Sequence, residues 1–252
     1  MRRFTLCRGW CRLLLALSLS PALGLTAAAQ RMVNFTPLAR GYLALPHAPG
    51  RHPAVLVIQE WWGLNNWIRR QADRLAAHGY VALAPDLYYG KLATTPRQAM
   101  ALVRSFNRAR GLRDLQAAYA YLRHRPEVER NRIAALGWCF GGGLALRFAA
   151  RQPGLRGVAV YYGELPAGLD SFARRLRVPL LGNFGGADRD IPPARVRRLA
   201  AALHAAGRQP NIKIYAGMPH AFAHLPTPAG RAAARDAWRR TLAFLARRLG
   251  QH

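Results

Sequence analysis

Residues 133–148, Ile-Ala-Ala-Leu-Gly-Trp-Cys-Phe-Gly-Gly-Gly-Leu-Ala-Leu-Arg-Phe, set the frame for the rest of the chain. The apolar run ending at Gly137 predicts a buried strand, the glycines a tight turn, and Leu144 onward an amphipathic helix. Cys139 stands at the apex, with Gly137 and Gly141 two residues to either side. Gly-x-Cys-x-Gly is the spacing of a nucleophile elbow, with sulfur in place of the usual serine oxygen. A residue there tops the carboxyl end of a strand and opens a helix. Free backbone N–H groups and the helix dipole favour negative charge at that point, which suits a thiolate. The same glycines also fit a packing turn or a phosphate loop. A Walker loop needs Lys-Ser/Thr where Leu144-Ala145 stand, and glycines at 137, 141, 142 and 143 do not supply Gly-x-Gly-x-x-Gly.

Working outward, strand and helix patterns alternate. Phe35–Leu45 reads as an edge strand or hairpin, and Ala54-Val55-Leu56-Val57-Ile58 as a strand covered on both faces. Asn65 or Asn66 can cap a helix running to about His78, with Gly79 as its stop. Tyr80–Pro85 is the next strand, followed by helices near 96–106 and 112–123. After the elbow come strands at Gly157–Tyr162 and Pro179–Phe184, a helical segment around Phe172 between them, a helix at Ala194–Ala206, a strand at Asn211–Tyr215 and a closing helix at Ala229–Leu249. The alternation predicts an α/β fold with a mostly parallel, doubly wound sheet and helices on both faces.

Residues 1–29 are read as separate from that fold. Arg2, Arg3, Arg8 and Arg12 make a positive start, Leu13–Leu25 is apolar but broken by Pro21, and Ala27-Ala28-Ala29 offers a small-residue cleavage site. The apolar stretch is shorter than the roughly 20 residues a bilayer span needs. The expectation is a cleaved export signal and a periplasmic or secreted protein without stable membrane insertion. Residues 30–252 then form a single domain, expected to be a monomer. Cleavage also removes Cys7 and Cys11, leaving Cys139 unpaired in an oxidising compartment.

The formal charge of +27 falls to +23 without the four arginines of that segment. Nucleic-acid binding is not expected from it, because the arginines are scattered among alanines rather than gathered with aromatics in one stripe.

A nucleophilic cysteine needs a base within hydrogen-bond reach and a third group to orient the base. Asp188, in the loop after Gly185-Gly186-Ala187, and His220, after Gly217-Met218-Pro219, both follow strands and fall in the order nucleophile, acid, base. Asp190 is an alternative acid two residues on, and His224 is the rival imidazole. A zinc site from His220, His224 and Asp188 has the i, i+4 histidine spacing, but Pro219 and Pro226 argue against the helix it would use. Glu60, Trp61 and Trp62 end the Ala54–Ile58 strand at the same sheet edge, where ligands of open α/β sheets bind.

The segments Val57-Ile58-Gln59-Glu60-Trp61-Trp62-Gly63-Leu64-Asn65, Ala84-Pro85-Asp86-Leu87-Tyr88, Gly137-Trp138-Cys139-Phe140-Gly141-Gly142 and Met218-Pro219-His220-Ala221-Phe222 resemble the dienelactone hydrolase (carboxymethylenebutenolidase) family of α/β-hydrolases. The resemblance implies Cys139 as nucleophile, His220 as base, Asp188 as its partner, and an oxyanion hole from the backbone N–H groups of Phe140 and Trp61. It also implies that Glu60 accepts the thiol proton when substrate binds. No cofactor or metal is implied.

Members that cleave dienelactone itself hold its carboxylate with two arginines. The matching positions here are Gly90 and His224, with Lys91 or His224 as the nearest substitutes. The lost arginine is also the family's partner for Glu60. The expected substrate is a small ester or lactone, contacted by Trp62, Tyr88, Lys91, Phe222 and His224 and cleaved through a cysteine acyl-enzyme. A general carboxylesterase, a thioesterase, or a non-catalytic binding protein on the same scaffold are the alternatives.

Overall fold

The computed structural model describes Met1 and residues 30–250, so the export-signal reading of residues 1–29, with Cys7 and Cys11, lies outside the described residues apart from Met1. Eight strands form one sheet: β1 (Gln30–Asn34), β2 (Arg40–Ala44), β3 (His52–Ile58), β4 (Val81–Pro85), β5 (Val128–Trp138), β6 (Gly157–Tyr161), β7 (Leu180–Gly185) and β8 (Asn211–Tyr215). Their spatial order is β1-β2-β4-β3-β5-β6-β7-β8. The β1–β2 and β2–β4 pairings are antiparallel and all others parallel. Among the described residues seven α-helices accompany them: α1 (Asn66–Ala77), α2 (Pro96–Ser105), α3 (Arg108–His124), α4 (Cys139–Ala149), α5 (Leu169–Arg175), α6 (Pro193–Ala205) and α7 (Pro228–Leu249).

The continuous apolar runs divide by parity. Along β3, Ala54, Leu56 and Ile58 face a core shared with Leu115 and Leu122 of α3, Leu144 and Phe148 of α4, and Val196 of α6. Val55 and Val57 face the opposite core, with Ile68 and Leu75 of α1 and Ala237, Phe244 and Leu245 of α7. A period of two on a strand buried on both sides produces this division.

Element limits shift from the sequence expectation where the chemistry is local. Asn65, not Asn66, caps α1, its side chain accepting the Ile68 N–H at 3.1 Å. The hairpin begins earlier, at Gln30, and Phe35–Ala39 is its turn, closed by Phe35 N–H donating to Ala39 O at 3.0 Å. Strand β5 starts at Val128, and α3 starts four residues before 112 because Asn107 caps it.

Strand β3 lies between β4 and β5, so the chain winds one way from β3 to β4 and crosses back to β5. That reversal opens a crevice at the carboxyl ends of the strands. Residues 60–62, 139–140, 162–164, 188–191 and 220–224 all gather there. Among the described residues, no helix is long and apolar enough to cross a membrane.

Candidate active site

Cys139 is the first residue of α4 and has φ of +50°, the left-handed region that L side chains avoid. The strain persists because the surroundings dictate it. A Cβ on Gly137 would run into the Gly141 carbonyl, and one on Gly141 into the carbonyls of Ile58 and Gln59. Only glycine on both sides lets α4 start this close to β3 and β5, and the close start lifts the thiol above the sheet edge.

His220 comes from the loop after β8. Its Nε2 is 3.1 Å from Cys139 Sγ and its Nδ1 is 2.8 Å from Asp188 Oδ2. Asp188 is 3 % exposed, and its other oxygen accepts the N–H groups of Asp190 and Ile191, each at 2.9 Å. Asp190 is therefore the neighbour whose backbone steadies the acid, while Asp188 meets the imidazole. Burial alone would raise the Asp188 carboxyl, but the His220 hydrogen bond and those two N–H groups hold it below its usual value. Burial also works against protonated His220, yet the hydrogen bonds to Asp188 and Cys139 outweigh it and push the imidazole up to about 10. Asp188, Asp190 and His220 also bring ligand atoms within 4.8 Å of one another. In that trio the His220 nitrogen nearest Asp188 is already engaged with it, as the orienting hydrogen bond of a relay requires.

A second acid–imidazole pair stands in the same crevice. His224 ends a short 3-10 turn (Phe222–His224), packs on Trp67 with centroids 4.2 Å apart, and places Nε2 2.8 Å from Glu60 Oε2. Glu60, 2 % exposed at the end of β3, thus has an imidazole where the family pattern has arginine. The proposed zinc trio of His220, His224 and Asp188 is not formed by this arrangement: the two histidines serve different carboxylates.

The cleft above Cys139 has a volume of about 820 Å³. Its walls include Trp61, Trp62 and Phe140, with both indoles edge to face at 5.0 Å, and its polar groups include Glu60, His220 and His224. Three residues expected to touch substrate lie elsewhere. Phe222 is fully buried beneath the cleft, against Tyr162 and Tyr215. Tyr88 is buried behind Phe140 and faces a separate cavity of about 230 Å³, which Lys91 also lines. Tyr88 and Lys91 follow β4, on the far side of β3 from β5, and the Tyr88 ring packs against that of Phe140, close enough to Cys139 for the thiol's charge to add to the burial that raises the phenol.

Sequence reasoning missed Met100 and Val103 of α2, Tyr162, Glu164 and Ile191, all of which line the cleft. Tyr162 immediately follows the apolar run of β6, a position that flags it in retrospect. Its φ is +37°, its ring lies 5.1 Å from that of His220, and its buried hydroxyl has no hydrogen-bond partner. Burial, reinforced by the charges of Glu60 and Cys139, pushes that phenol well above its ordinary value.

Comparison with known proteins agrees with this geometry. Residues 39–249 match the model of the dienelactone hydrolase family. A Methylorubrum extorquens protein named "Putative carboxymethylenebutenolidase" is 33 % identical over 213 residues, covering 79 % of this chain and 73 % of the relative. An Escherichia coli protein of the same name is 33 % identical over 216 residues, covering 80 % of this chain and 79 % of the relative. A crystal structure titled as a putative dienelactone hydrolase from Klebsiella pneumoniae superposes with a TM-score of 0.78 at 30 % identity, covering 88 % of this chain and 99 % of that one. With its elbow, strand order and nearly full-length match, the chain belongs to the dienelactone hydrolase family of α/β-hydrolases.

Proposed function

We propose that the protein opens an ester or lactone by acyl transfer through a thioester on Cys139. The observation that carries this reading is the relay at the cleft floor, Cys139 to His220 at 3.1 Å and His220 to Asp188 at 2.8 Å. His220 Nε2 already holds the thiol proton when Sγ attacks the carbonyl carbon, and Asp188 stabilises that imidazolium. The oxyanion forms beside the N–H groups of Phe140, in the first turn of α4, and of Trp61. As the intermediate collapses, the carbon–oxygen bond breaks and the alkoxide takes the proton from His220. A water molecule, deprotonated by His220, then attacks the thioester, and the thiol recovers that proton as it leaves.

Glu60 is the alternative acceptor for the thiol proton when substrate binds. Its tie to His224 keeps a carboxylate in the crevice although the family's arginine is missing. We further propose that residues 1–29 direct export; a mature chain beginning at Gln30 by N-terminal sequencing supports this, and one beginning at Met1 overturns it.

The central test is intact-mass spectrometry after brief exposure to an activated aryl ester. A mass gain of one acyl group on Cys139, absent from Cys139→Ala, is expected together with turnover. Turnover retained by Cys139→Ala overturns the thioester. Neither adduct nor turnover with any ester, lactone or thioester makes this a binding protein on a hydrolase scaffold.

A further inference from the structure

The charge of the cleft is the reverse of the charge of the protein. The chain has 38 lysines and arginines against 11 acids, yet the cleft lining includes Glu60, Glu164 and Asp190 and not one lysine or arginine. Asp188 lies just beneath, against His220. Four of the eleven acids thus converge on one crevice of a strongly basic molecule. Glu60 is paired with His224, and Glu164 with Arg147 at 3.3 Å and Arg108 at 3.4 Å, neither of which lines the cleft. The Asp190 carboxylate has no ion pair among the described residues and lies within 4.8 Å of a His220 nitrogen. The remaining walls are apolar: Trp61, Trp62, Met100, Val103, Phe140 and Ile191.

We infer that the cleft selects uncharged, apolar acyl groups and rejects substrates that carry a carboxylate, resting this on the acyl-transfer reading above. A carboxylate placed there loses its hydration, finds as its one unshared-wall cation only the His220 imidazolium, whose charge Asp188 already takes up, and faces Asp190 and Glu164. The two positions that could have supplied a cation do not. Gly90 is not part of the lining and carries no side chain, and His224 is occupied by Glu60. Lys91 opens onto the other cavity. The overall charge of +27 works the opposite way, because its long-range field draws anions toward the surface. Rejection of anions must therefore come from the lining. The cleft is also roomy at about 820 Å³, and Met100 and Val103 of α2 give an extended acyl chain an apolar wall.

Three para-nitrophenyl esters of equal chain length separate the possibilities: the hexanoate, the monoester of adipate, and the 6-aminohexanoate. The hexanoate is expected to exceed the adipate monoester at least tenfold in kcat/KM, with the aminohexanoate losing less than the adipate. Asp190→Asn and Glu164→Gln should each narrow the gap between hexanoate and adipate. Parity between those two, or preference for the adipate, overturns the inference. A cationic ester that falls as far as the anionic one, with no narrowing in the variants, also overturns it, since selection is then against any charge.

If none of the esters is cleaved, the acyl-transfer reading fails by itself, and calorimetry on the Cys139→Ala protein still decides the charge preference. N-phenylhexanamide is expected to bind at least tenfold more tightly than its analogue with a terminal carboxylate. Equal affinity sinks the inference.

Discussion

The crevice holds two carboxylate–imidazole pairs with the same 2.8 Å contact, and they differ in almost everything around it. Asp188 has two backbone N–H donors of its own, is sealed from solvent, and serves an imidazole whose other nitrogen meets sulfur. Glu60 meets His224, whose ring lies on Trp67 and is half-open to solvent at 36 % side-chain exposure. The first pair is a fixed anion pulling on an imidazole beside the Cys139 thiol. The second is an anion held in place at the wall. A short contact between an acid and a histidine therefore says little about its job until the far side of each partner is named.

The sharpest way to break the comparison is to neutralise each acid in turn. Asp188→Asn should lower kcat by about 10³–10⁴, because the imidazole loses the carboxylate that orients its tautomer and stabilises its charge. Glu60→Gln keeps the shape of the wall and should cost no more than about tenfold. Steady-state kinetics of the two variants reads the difference directly, and equal losses would mean that both pairs belong to one relay.

The next largest effect lies in titration. The His220 ring, followed by NMR, should remain protonated through neutrality and lose its proton near 10, whereas in Cys139→Ala its midpoint should fall as one supporting hydrogen bond disappears. The sign for stability follows. A raised imidazole value stabilises the fold fully below about 6.5, and that contribution drains away as pH rises toward 10. The difference in Tm between the native protein and His220→Ala should shrink over that window, and a difference that grew with pH would contradict the assignment.

The smallest effect concerns the residue wedged beside both pairs. Tyr162→Phe removes a buried hydroxyl that lies beside Glu60 without reaching full hydrogen-bond geometry, so thermal denaturation should show a change of no more than about 1 kcal/mol in either direction. A loss of 2 kcal/mol or more would show that the phenol is hydrogen-bonded in solution. Activity measured on the same variant tells whether the hydroxyl is used in turnover.

What could be read from the sequence was what local pattern encodes. The unbroken apolar run of β3 announced a sheet covered on both faces. Gly137 and Gly141 announced a backbone approach that any side chain would block, and Cys139, Asp188 and His220 stood at loop positions that a parallel sheet brings to one edge. Tertiary packing decided the rest. Glu60 and His224 are 164 residues apart, and no periodicity joins them. Tyr88 and Phe222 sit at strand or loop ends, as cleft residues do, yet their rings turn inward, where apolar burial outweighs exposure. The α2 pattern marks an apolar face without saying that Met100 and Val103 would line the cleft.

Helix α2 fixes only Ala99 in the core while Met100, next to it, remains 41 % exposed over the cleft. Glu60, Cys139, Asp188 and His220 ride on the ends of four strands, and this wall rides on a separate, lightly anchored segment. Heritable change can therefore reshape what the enzyme accepts through one helix, at little risk to the atoms that make and break bonds. Such a division makes the scaffold easy to re-purpose over evolutionary time.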